Sequence, residues 1–204
     1  VEALWNHSLA VARLARAVAR AENTSLDMRE ECFTAGLLHD LGKLLIATNQ
    51  PDDLRLIAEV QRTARVTAWE AEHQILGTTH AELGAWLAAI WGLPVAIVEA
   101  IALHHHPSRF LTSSFCPLTS VHIANGLCNA VEPKRAGAGD MDQAYLTDLN
   151  LSHRLEVWRQ IGQALAQHEQ VFLAPVARQR LGDFLGAGLD ASVAVPGQYL
   201  GVAL

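Results

Sequence analysis

Apolar residues recur three and four positions apart over most of the chain, and no stretch sustains the alternation of a half-buried strand. Such a chain buries its apolar surface by packing helix on helix, so the expected fold class is all-α, a multi-helix bundle. Leu4, Val11, Leu14 and Val18, with alanines between them, form one helix face, and His7 falls on it. Asn23, Thr24 and Ser25 break that helix and offer a new N-cap. A second helix is predicted to run to about Ala47 through Phe33, Leu37, Leu41, Leu44 and Leu45. It carries His39 and Asp40 between Gly36 and Gly42. Glycine weakens a helix by ~1 kcal/mol relative to alanine, so two of them here predict close packing or an irregular backbone.

Pro51 suits the first position of a third helix, which carries Leu54, Ile57, Ala58 and Val60. Thr67 caps a short helix ending at Gly77, and Thr78 and Thr79 cap the next, with Glu82 placed for a capping box. That helix stops at Trp91-Gly92; Pro94 starts another, which closes on His104-His105-His106-Pro107. Ser108 to Cys116 reads as loop, and Pro117 opens a helix to about Val131. The expected organisation is a helical core over 1–131, a loop over 132–150, and C-terminal helices over 151–185 packing on the core. The first of these helices is expected from Ser152 to His168, and a shorter one near Val176 to Leu185. The small apolar tail, 186–204, has no assigned structure. The chain has no initiating Met and opens directly in a helical pattern, which reads as a cut with something preceding Val1.

A formal net charge of −6 opposes general binding to nucleic-acid phosphates, while leaving room for one phosphorylated ligand at a local site. No stretch is long and apolar enough to span a bilayer. The three cysteines, Cys32, Cys116 and Cys128, are widely spaced with no CxxC pair, so a reducing cytoplasm is the expected setting. The sequence has neither a Walker-type glycine loop nor a GxSxG nucleophile motif.

Chemistry concentrates in the histidines. Of ten, His7, His39, His80, His104 and His105 fall on inward helix faces, whereas His73, His106, His122, His153 and His168 read as ordinary polar positions. One such histidine is usually a hydrogen-bonded core residue; several beside Asp40 form a ligand set. Neutral imidazoles and a carboxylate suit Zn, Mn, Fe or Ni. Asp40 is the natural bridge between two ions, because a carboxylate has two oxygens.

The blocks Ala35-Gly36-Leu37-Leu38-His39-Asp40-Leu41-Gly42-Lys43, Glu72 to Ala85, Trp91-Gly92-Leu93-Pro94 and Ile101 to Pro107, after His7 in Leu4 to Ala10, resemble the HD superfamily of metal-dependent phosphohydrolases. Their order resembles its HDOD branch, the HD-related output domain of bacterial signalling proteins, over roughly Val1 to Ala130. The resemblance implies a helical bundle beside receiver or other signalling domains, binding a partner or a nucleotide ligand. By analogy with the binuclear HD-GYP enzymes it implies His7, His39, Asp40, His80, His104 and His105 as ligands of one or two divalent ions, Mg included among the candidates. Asn125 stands where that pattern has its last acid, and would be a weaker ligand. No glycine-tyrosine-proline element follows His104-His105, which argues against cyclic di-GMP as substrate. The alternative is an active phosphohydrolase. His7, His39, Asp40 and Asn125 would then hold one ion, and Asp40, His80, His104 and His105 the other. Asp40 and Lys43 would be the catalytic residues, with Lys43 stabilising phosphoryl charge; the plainer account of Lys43 is a surface lysine. The tryptophans, Trp5, Trp69, Trp86, Trp91 and Trp158, are expected in the core, and Arg13, Arg16 and Arg20 on a solvated helix face.

Overall fold

The structure is a computed structural model, and residues 2–130 and 141–167 are described. The chain divides into two units, Val1–Leu165 and Ala166–Leu204. Among the described residues there is no strand, and the fold is an all-α bundle. Its helices are α1 (Glu2–Ala21), α2 (Leu26–Leu38), α3 (Leu41–Asn49), α4 (Pro51–Ala64), α5 (Ala68–Leu76), α6 (His80–Ile90), α7 (Val95–Leu103), α8 (Pro117–Ala130), α9 (Gln143–Asp148) and α10 (155–167).

The starts follow the local chemistry. Ser25 accepts from the backbone of Met28, and Thr67 with Glu70 and Thr79 with Glu82 close complete capping boxes. Gly77 and Gly92 take left-handed backbone, φ 70° and 74°, where α5 and α6 end.

The second helix does not run unbroken to Ala47. It ends at Leu38 and α3 begins at Leu41, because Asp40 leaves helical backbone at φ −101°, ψ 11°. The irregularity sits between the two glycines, and both are also close contacts. A Cβ on Gly36 would lie 2.8 Å from Ala12 Cα of α1, and one on Gly42 would lie 1.9 Å from the carbonyl oxygen of His80. Gly36 therefore lets α2 meet α1, and Gly42 lets α3 meet the first turn of α6.

The main core joins α1, α2, α7 and α8 through Val11, Val18, Ile101, Leu118, Val121 and Ile123, all at most 1% exposed. A smaller cluster of Ile46, Ile57 and Ala71 seats α4 and α5 on α3. Within the stretch expected as loop, 132–150, residues 143–148 form α9, capped by Asp142, with Tyr145 and Leu146 buried in the main core. In α10, Trp158 is fully buried and donates to Glu22 Oε1 at 2.8 Å. It is the tryptophan that meets the core expectation. Trp5, Trp86 and Trp91 are more than half exposed, and Trp69 is half-buried. Arg16 and Arg20 are exposed and Arg13 is partly so, as a solvated face requires. The helix expected near Val176 to Leu185, the 186–204 tail, His168 and 131–140 lie outside the described residues.

Candidate metal centre

The break at Asp40 brings adjacent side chains to one centre. Asp40 follows α2, His39 caps it, His7 comes from α1, His80 opens α6, and His104 and His105 follow α7. The ligand atoms of His80, His104 and His105 lie within 4.8 Å of one another, as do those of His7, His39 and Asp40. Asp40 stands between the groups. Its Oδ2 is 3.8 Å from His7 Nε2 and 3.5 Å from His39 Nε2. Its Oδ1 is 3.3 Å from His80 Nε2 and 4.0 Å from His104 Nε2. His39, Asp40, His80 and His104 are all at most 2% exposed.

The outer ring nitrogens fix the tautomers. His39 Nδ1 donates to the carbonyl of Gly36 and His104 Nδ1 to that of Ile101, each at 2.8 Å. A carbonyl only accepts, so each neutral ring turns a bare Nε2 lone pair inward. Those two nitrogens and Asp40 Oδ1 are buried without a hydrogen-bond partner. An unpartnered buried polar atom costs about 1–3 kcal/mol, and here three lone pairs face one another. A divalent cation satisfies such a set, so these residues fit the metal that the sequence resemblance implies.

Electrostatics agree with that chemistry. Burial lowers His39 to about 4, against the opposing pull of Asp40. Burial, and then neighbouring imidazoles, hold His104 and His105 well below the usual histidine range. Burial raises Asp40, but His39 and Lys43 outweigh it and keep the carboxylate ionised. His80 is the exception: burial and Lys43 push it down, and the Asp40 and Glu72 carboxylates pull it above its ordinary value. His80 Nε2 lies 3.0 Å from His105 Nε2, a distance at which one of the two nitrogens donates to the other.

Two residues of this centre escape the sequence reading. Glu72 of α5 is only 4% exposed, and its Oε2 accepts from both the backbone N–H and the Nδ1 of His80, at 2.8 and 2.5 Å. Its position in phase with Trp69, Ile75 and Leu76, a carboxylate on an apolar face, was the available signal. His122 is 4% exposed rather than an ordinary polar position. Its Nδ1 donates to the carbonyl of His104 at 2.8 Å, and its Nε2 accepts from the Asp142 N–H at 2.9 Å. The signal was its place between Val121 and Ile123 in a helix with no charged residue. Glu72→Gln is expected to weaken divalent-ion affinity about 10–100-fold, as for other residues that orient a ligating histidine. Titration of metal-stripped wild-type and variant protein with Mn2+ measures it; an unchanged affinity would remove Glu72 from the centre.

Lys43 is not a free surface lysine: its Nζ lies 2.7 Å from Asp40 Oδ2. Asn125 joins the His7 side, its Oδ1 3.1 Å from His7 Nε2. His106 packs edge-on against Trp69, and His73 and His153 are exposed. A cleft of about 190 Å3 opens beside His105, lined also by Trp69, His73, Glu82, His106 and Arg109.

The HDOD domain profile matches residues 1–107. An uncharacterized protein of Treponema pallidum is 28% identical over 103 residues, half of this chain and 20% of that protein's length. An HDOD domain protein of unknown function from Geobacter sulfurreducens shares the fold, with TM-score 0.65 and 24% identity over 82% of this chain and 59% of that one. A candidate signal transduction protein from Marinobacter aquaeolei does so with TM-score 0.67 and 22% identity, over 85% of this chain and 38% of that one. A candidate phosphohydrolase from Shewanella amazonensis has TM-score 0.61 and 23% identity, over 79% of this chain and 58% of that one. This chain therefore spans less than two thirds of each relative it matches.

Proposed function

This chain belongs to the HDOD domain family, and on that premise we propose that it is a signalling output module whose core holds a divalent ion and which binds a ligand or partner beside it. The observation that carries the metal is the trio of buried, unpartnered atoms, His39 Nε2, Asp40 Oδ1 and His104 Nε2, with both ring nitrogens within 4.0 Å of the Asp40 carboxylate. A bound divalent ion supplies Lewis acidity and a template for oxygen ligands. The regulatory part of the reading is supported by Asn125 in place of an acid and by the absence of a glycine-tyrosine-proline element. The module works in a bacterial cytoplasm beside other signalling domains, a receiver domain among the candidates. No described helix is long and apolar enough to cross a membrane.

A second reading, a metal-dependent phosphohydrolase acting on a nucleotide or cyclic dinucleotide, is favoured by the cleft. It joins an aromatic wall, Trp69, and a cation, Arg109, to His105 of the centre. In that reading Asp40 holds the ion and Lys43 meets phosphoryl charge. The test loads the stripped protein with Mn2+ or Fe2+, removes loose ions, and measures retained metal beside phosphodiester hydrolysis. The regulatory reading expects retained metal and background hydrolysis. Enzyme-like hydrolysis that disappears in Asp40→Ala would transfer the assignment to the second reading. No retained metal would sink both.

A further inference from the structure

We propose that the centre takes one divalent ion, on Asp40 Oδ1 with His80, His104 and His105, and that Lys43 Nζ stands in for a second cation at Asp40 Oδ2. This rests on the metal-holding reading above and specifies it. The two carboxylate oxygens of Asp40 have different surroundings. Oδ2 accepts the Lys43 ammonium at 2.7 Å, whereas Oδ1 is buried and has no hydrogen-bond partner.

The flanking groups repeat that asymmetry. On the Oδ2 side, Asn125 Oδ1 accepts from Asn129 Nδ2 at 3.0 Å and faces His7 Nε2 at 3.1 Å. Two donors therefore converge on the amide oxygen and occupy both of its lone pairs. His7 correspondingly spends its Nε2–H on the amide, so its inner nitrogen is a donor rather than a ligand. His39 Nε2, 3.5 Å from Oδ2, is the one bare lone pair on this side; an ion there would have to displace two hydrogen bonds and lie beside an ammonium, with no carboxylate but the shared one. On the Oδ1 side, His104 offers a bare lone pair, and the Nε2 atoms of His80 and His105 stand 3.0 Å apart. One ion there draws on all three rings and satisfies Asp40 Oδ1 and His104 Nε2, two of the three orphaned atoms. The charges are asymmetric too: Lys43 answers the single charge of Asp40 at Oδ2, and Glu72 adds a second carboxylate behind His80 on the Oδ1 side alone.

Stoichiometry tests this directly. Metal-stripped full chain titrated with Mn2+ is expected to bind one ion, with the electron paramagnetic resonance spectrum of an isolated Mn2+. His105→Gln, at a half-buried position, is expected to weaken that ion by about 100-fold or more. Lys43→Met combined with Asn125→Asp is expected to bind two ions and to show an exchange-coupled spectrum. Thermal melts of the metal-free variants verify that each is folded. Two tightly bound, coupled ions in the wild type would overturn the one-ion assignment and leave the metal-holding reading intact. A folded double variant that still takes one ion would overturn the role given to Lys43. A chain that binds no ion at all would overturn both readings together.

Discussion

Gly42→Ala is expected to destabilise the protein by at least about 3 kcal/mol, the upper end of what overpacking costs, and to abolish ion binding with it. The added Cβ would lie 1.9 Å from the His80 carbonyl oxygen and 2.8 Å from its Cα. These are backbone atoms, so no side chain can swing aside; α3 must separate from α6. That separation pulls His80 away from Asp40, which flanks α3 on its other side. Gly84 makes the control. A Cβ there meets Gly42 N at 3.1 Å and the Ile101 Cγ2 at 3.3 Å, contacts that a small shift relieves. Urea denaturation should rank Gly42→Ala far below Gly84→Ala, and both below wild type. Equal midpoints for the two variants would show that the α3–α6 contact is looser than the geometry requires.

The second large effect is on melting. An ion that binds the folded state alone, at a thousandfold excess over its Kd, contributes about 4 kcal/mol. In a chain of this size 1 kcal/mol is worth roughly 2–4 °C, so saturating Mn2+ should raise Tm by roughly 8–16 °C. Asp40→Ala should erase that shift, because it removes the carboxylate facing both groups of histidines. It should also lower the Tm of the metal-free protein, since breaking a buried charged network by removing one member typically costs about 3–5 kcal/mol. In that variant Lys43 loses its counter-charge and His80 loses one of its two carboxylates. A shift that survives in Asp40→Ala would place the ion elsewhere.

Much of this was legible in the amino-acid order, because the informative signals are local. Thr79 with Glu82 and Pro51 at a helix start are chemistry within one turn, and the structure uses them where they stand. The five histidines were read as inward-facing, and their ligand atoms do gather around Asp40, although His39, His104 and His105 do so from just past helix ends. What was not legible depends on partners distant in sequence. The break at Asp40 showed in sequence only as two flanking glycines, and the close approach of Gly42 to His80 of α6 is encoded by no local propensity. Glu72 was not singled out, because its partner, His80, lies across the α5–α6 turn. His122 read as polar surface because the carbonyl it holds, that of His104, comes from another helix. The exposed Trp5, Trp86 and Trp91 show the converse: bulk alone does not assign a residue to the interior.

The way His39 and His104 are oriented bears on how such a centre ages. Each ring is steered by a carbonyl three residues upstream in its own turn. Every amino acid supplies that carbonyl, so substitution at Gly36 or Ile101 can disturb packing without deleting the acceptor. His80 is steered instead by a side chain, Glu72. Under mutational drift a lineage can therefore exchange an outer side chain, such as that at Asn125, and keep His39 and His104 aimed. Heritable order in this pocket resides mostly in the main chain, and Glu72 is the position at which it is exposed to a single codon change.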